Sequence, residues 1–115
     1  MDIIELKDRT FSYSYKGGLK TSMYSELIAI ESDRPFILLV FKEECVLVRV
    51  SMCSIENRLQ SRFVRISRQV IVNMSLASEF LFNDGSYWVY LPDDKKYKVS
   101  KRREKSVEVA FLLYT

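Results

Sequence analysis

Arg58, Arg62, Arg65 and Arg68 recur every three or four residues with no acid between them, and Lys95, Lys96, Lys98, Lys101, Arg102, Arg103 and Lys105 form a second run in which Glu104 stands. Guanidinium and ammonium groups at this density, interleaved with strand-like sequence, suit a polyanion partner; the plainer reading is a solvated charged face. Other reactive patterns are weaker. Gly17-Gly18-Leu19-Lys20-Thr21 ends like a phosphate loop but lacks the earlier glycine, and it sits between strand-like segments, which makes it a hairpin turn. Glu43-Glu44 and Asp93-Asp94 fall in expected turns, without the burial that would split a pair of carboxyl pKa values for acid–base work. Tyr87, Trp88 and Tyr90 could stack on bases, but alternation sends Trp88 and Tyr90 to one strand face and Tyr87 to the other, so core and hairpin packing is the simpler use of these rings.

The chain contains no histidine, which removes the commonest general base and metal ligand and every Ser/His or Cys/His pair. Cys45 and Cys53 are eight residues apart without a Cys-x-x-Cys pair, so neither a zinc cage nor a disulfide framework is expected; they read as reduced, mostly buried thiols of a cytoplasmic protein. No enzyme, metal or cofactor is expected.

Positive charge is concentrated in the second half. Residues 1–57 hold seven basic and nine acidic side chains, residues 58–105 eleven and five, and the last ten residues a single acid. With 115 residues, 48% hydrophobic and only three Gly and two Pro, the chain is expected to fold as a single domain over 1–115. Its longest apolar run, Phe36 to Phe41, is far short of the ~20 residues that span a bilayer, and Met1-Asp2-Ile3-Ile4-Glu5 lacks an export signal, so no membrane association is expected.

The elements that must position these side chains are mostly strands. Phe11 to Tyr15 alternates, breaks at Lys16-Gly17-Gly18 and resumes at Leu19 to Met23, which predicts a hairpin. Leu27 to Ile30 is apolar, Glu31-Ser32-Asp33-Arg34-Pro35 reads as a loop, and Phe36 to Phe41 and Cys45 to Val50 read as strands around Lys42-Glu43-Glu44. Ser51 caps a two-turn helix with Met52, Ile55 and Leu59 on one face. After Phe63 to Asn73, Asp84-Gly85 makes a hairpin of Phe80–Phe82 and Tyr87–Leu91, Lys96 to Val99 is a strand, and Ser100 caps a final helix facing inward through Val107, Ala110, Phe111 and Tyr114.

Phe-x-Arg-x-x-Arg-x-x-x-Val-Asn over Phe63–Asn73, preceded by Ile28-Ala29-Ile30-Glu31-Ser32-Asp33 and followed by Val99-Ser100-Lys101-Arg102-Arg103, resembles the LytTR family of bacterial DNA-binding domains, with all three blocks in the family's order. The resemblance runs from about Phe11 to Phe111. It implies a mainly β fold, an elongated arrangement of small, mostly antiparallel sheets with two short helices, whose loops enter successive major grooves of double-stranded DNA. It further implies base contacts from Arg68, Arg102 and Arg34 and phosphate contacts from Arg65, Lys101 and Arg103. It also implies a role in transcriptional regulation, two copies on repeated sites, and an upstream receiver or sensor protein. Three positions depart from the family pattern: Ser67 and Gln69 flank the second arginine where the family has His and Ser, and Glu104 stands where an aromatic is usual.

Two rival readings follow from the residues. One is an interaction module that keeps the fold without binding DNA, as the three departures allow. The other is an RNA- or single-strand-binding β-domain, which requires Trp88 and Tyr90 to be exposed on a sheet face.

Overall fold

Short alternating segments joined by tight turns give eleven strands and two helices in a computed structural model that describes residues 2–115. The chain divides into two compact units, Met1–Gln60 and Ser61–Thr115. The strands within each unit pair antiparallel.

In the first unit, β1 (Ile4–Leu6), β2 (Thr10–Tyr15) and β3 (Gly18–Met23) form one antiparallel meander. Lys16 and Gly17 make the two-residue turn, both at positive φ as a type I′ turn requires, while Gly18 already pairs with Tyr15. The second meander is β4 (Ala29–Asp33), β5 (Phe36–Val40) and β6 (Cys45–Val48). The expected five-residue loop shrinks to Arg34-Pro35, whose peptide bond is cis, because Glu31, Ser32 and Asp33 pair with Leu38, Ile37 and Phe36. Alternation in β2 turns Phe11 and Tyr13 inward, both 1% exposed, where their rings lie 5.2 Å apart and meet Phe41 at 6.2 and 5.8 Å. Tyr24, 5.2 Å from Phe11, donates its hydroxyl to the Lys7 carbonyl, and the Tyr13 and Ser22 hydroxyls share a hydrogen bond of 2.7 Å. Helix α1 (Met52–Glu56) starts at Ser51, whose Oγ accepts from the Ser54 amide, and buries Met52 and Ile55.

Both cysteines are free, and both are exposed rather than buried. The reason is local: β6 turns Val46 and Val48 inward and so turns Cys45 and Leu47 outward, and Cys53 lies on the face of α1 away from Met52 and Ile55.

In the second unit, β7 (Phe63–Arg65) and β8 (Val70–Asn73) form a hairpin, and β9 (Glu79–Asn83), β10 (Ser86–Tyr90) and β11 (Lys96–Lys98) a three-stranded meander. Asp84 and Gly85, at φ 56° and 82°, form the hairpin turn the sequence signals. A 3-10 turn, Lys101–Arg103, leads into α2 (Glu104–Tyr114), which buries Val107 and Ala110, half-buries Phe111 and Tyr114, and packs on β7 and on the Met74–Leu76 turn. Ser100 precedes the turn with extended backbone, but its hydroxyl makes no cap; Oγ is buried with no hydrogen-bond partner among the described residues. No helix among the described residues is long and apolar enough to cross a membrane.

Candidate nucleic-acid interface

The Arg-x-x-Arg block is a hairpin end rather than a continuous strand. Pairing runs from Phe63↔Asn73 to Arg65↔Ile71, and the Ile66 amide then donates to the Val70 carbonyl at 3.0 Å, closing a loop over Ser67, Arg68 and Gln69. Ile66, fully buried, anchors one side of this loop, and Arg65 holds it from within. Its Nε donates to the Ser67 carbonyl at 2.8 Å and its Nη2 to the Arg68 carbonyl. Arg65 thus spends two donors on backbone, a fixed fork gripping adjacent carbonyls. Ser67 Oγ accepts from the Gln69 amide at 3.3 Å. Arg68 and Gln69 are left exposed at the loop tip.

The Ser-Lys-Arg block lies against this loop, because the Ser100 amide donates to the Ile66 carbonyl at 2.9 Å. That bond joins two segments more than thirty residues apart in sequence. Beyond Ser100 the chain tightens, with the Arg103 amide donating to the Ser100 carbonyl at 3.0 Å, and presents Lys101 and Arg102 exposed and Arg103 half-buried. Glu104 departs from the family pattern for a visible reason: it is the first residue of α2, where the helix N-terminus favours a carboxylate. Lys101, Arg102, Glu104, Lys105 and Glu108 border a shallow hollow of about 310 Å³, with Phe80 and Tyr87 on its wall, their rings stacked 4.7 Å apart.

Five of the six sequence-derived candidates, Arg65, Arg68, Lys101, Arg102 and Arg103, therefore lie on two stitched segments of the second unit. Arg34 occupies the exposed β4–β5 hairpin tip in the first unit. None of Arg34, Arg68, Lys101 and Arg102 forms an ion pair with a carboxylate among the described residues. Arg68 is thus neither on a strand nor ion-paired. Asn73, fully buried at the end of β8, accepts from the Ser75 hydroxyl at 2.6 Å, a strand-end hydrogen-bonding role rather than an exposed contact. Gln69 escaped the sequence reading as a candidate; the signal was its place beside Arg68, since a glutamine amide can address an adenine edge as arginine addresses guanine.

Known proteins carry the same pattern further. The family model described as the LytTr DNA-binding domain matches residues 18–111. Among solved structures, the LytTr DNA-binding domain of a putative methyl-accepting/DNA response regulator from Bacillus cereus superposes with a TM-score of 0.77, covering 90% of this chain and 97% of its own, at 14% identity. At that identity the likeness speaks for the fold. The search of curated proteins finds no match. The mainly β architecture, the three sequence blocks and a family match over most of the chain agree: the protein belongs to the LytTR family of DNA-binding domains.

Proposed function

We propose that this chain binds double-stranded DNA sequence-specifically, as one functional domain over 1–115, by placing exposed loops in the major groove. Arg68 and Arg102 address guanine edges, Gln69 is a candidate for a neighbouring adenine, and Lys101 and Arg103 neutralise phosphates. Arg34 is a third, separate base contact from the β4–β5 tip. The observation that supports this best is an accessible side chain on a pinned loop: Arg65, Ile66 and Ser100 hydrogen-bond the loop under Arg68, while Arg68 is exposed and forms no ion pair among the described residues. A guanidinium positioned this way loses little conformational freedom of its backbone on binding.

In this reading the chain is a DNA-binding output module in bacterial transcriptional regulation, coupled to a receiver or sensor protein, acting in the cytoplasm and binding repeated sites as two copies. It has no catalytic role. Selection of bound duplexes from a random pool tests it. A recovered motif with guanine at separated positions is the expected result, and absence of any enrichment would overturn the reading in favour of an interaction module.

A further inference from the structure

Antiparallel sheets with one face on a core ordinarily turn polar side chains to water on the other. The β9–β10–β11 sheet sets aromatic rings among the polar side chains of its outer face. Its inward face carries Phe80, Tyr87 and the fully buried Val89, with Phe80 6.1 Å from Phe111 of α2. On its other face Trp88 stands opposite Leu81 on β9 and Lys98 on β11, and Tyr90 opposite Glu79 and Lys96. Leu81 is 44% exposed, Trp88 and Tyr90 are half-buried, and both lysines are exposed. Trp88 Nε1 donates to the Asn83 carbonyl at 3.1 Å, so its one polar edge is engaged. The Lys96 ammonium reaches over both rings, 5.3 Å from the Trp88 centroid and 6.0 Å from that of Tyr90.

We infer that this outer face is a second nucleic-acid surface, which binds unpaired single-stranded DNA by stacking bases on Trp88 and Tyr90 and neutralising the backbone with Lys96 and Lys98. Residues i and i+2 of a strand are about 6.7 Å apart, so the two rings can take separate bases of one extended strand. The two lysines outnumber Glu79 on this face, which selects an anion. An acidic peptide would satisfy the cations and leave the rings uncovered, and an apolar one would do the reverse. A single strand repeats base and phosphate together. Duplex DNA hides its base faces, so this surface is separate in chemistry from the loops bearing Arg68 and Arg102.

Trp88 is the chain's only tryptophan, so its emission reports this face without any substitution. Titrating the full chain with short oligothymidylate at low salt is expected to quench that emission saturably. The salt slope should be about −1 to −2, since each single-strand phosphate contributes about −0.7. Tyr90→Ala, which keeps the reporter, should weaken binding about 5- to 150-fold, while Tyr90→Phe should keep it. If Tyr90→Ala does not fold, Lys96→Gln with Lys98→Gln, both exposed, should flatten the salt slope instead. Arg68→Ala should leave the quenching unchanged, which separates this site from the duplex interface. No quenching, equal loss in Arg68→Ala, equal quenching by polyglutamate, or quenching by oligouridylate alone would each overturn the assignment.

Discussion

At Arg68 and Arg102 the chemistry is a planar fork of donors on an exposed side chain, and truncation tests it directly. Arg68→Ala and Arg102→Ala should each cost about 1–3 kcal/mol on the preferred duplex and relax specificity at different base positions. Their effects should add nearly independently, because the two side chains address different base positions in the proposed complex. Competition binding against single-base variants measures this; equal losses on preferred and random DNA would reduce both to phosphate contacts. Arg65 behaves differently, since it grips carbonyls. Arg65→Ala and Arg65→Lys should weaken specific binding alike, because an ammonium is a point charge that cannot hold two carbonyls in the guanidinium's fixed geometry. Recovery in Arg65→Lys would instead indicate a phosphate contact. Glu44 supplies a pH effect in the first unit: the Lys20 ammonium at 3.1 Å, then the Tyr15 hydroxyl, holds its carboxyl below the usual carboxylate range, and the same pair raises Lys20. The Glu44 contribution is present above the ordinary carboxylate pKa and is lost as pH falls through the lowered one. That of Lys20 is present below the ordinary lysine pKa and is lost as pH rises through the raised one. Both side chains are open to solvent, at 40% and 42% exposure, which screens the pair and keeps the effect small. Thermal melts of Glu44→Gln and the unaltered chain should differ near neutrality and converge in acid.

Among the elements, the glycine-bearing hairpin turns were the most legible from sequence, whereas the loop expected over Glu31–Pro35 proved mostly strand. Asp84-Gly85 demands positive φ at both positions, and few residue pairs other than such Asx-Gly sequences meet that demand. Gly85→Ala should therefore lower stability by about 1 kcal/mol through backbone strain alone, as nothing lies within 4 Å of the added methyl. Chemical denaturation measures it, and an unchanged midpoint would mean the turn relaxes. Less legible was β1, because Ile4–Leu6 is three residues long and takes its strand character from pairing with Phe11–Tyr13. The Arg65–Arg68 segment was no easier to read: Ile66 is as apolar as a strand residue, yet it plugs a loop. A pattern of apolar residues reports burial and leaves open whether pairing continues. The thiols show the converse, since cysteine is commonly buried, but in β6 the two valines took the inward positions.

Across the whole molecule the charge division seen in the sequence follows the structural division. Residues 1–60 carry eight basic and nine acidic side chains, residues 61–115 ten and six. A duplex-binding chain of this kind should show a slope of log K against log salt of about −4 to −6, from the number of candidate Lys and Arg contacts at roughly −0.9 each. Calorimetric titration across salt concentrations measures it, and a slope near zero would remove double-stranded DNA as the partner. Five of the six candidate residues could be named from sequence because the blocks that resemble the family are short and local. The stitching of those blocks could not be read, since one hydrogen bond between Ile66 and Ser100 leaves no trace in residue type.

Both exposed thiols, Cys45 and Cys53, belong to the first unit, and the second unit contains no cysteine at all. A maleimide dye or spin label added to the unaltered chain would consequently attach to the first unit alone. The loops of Arg68 and Arg102 would stay chemically untouched, and a single new cysteine placed in the second unit, after Cys45→Ser and Cys53→Ser, would give a probe of unambiguous address.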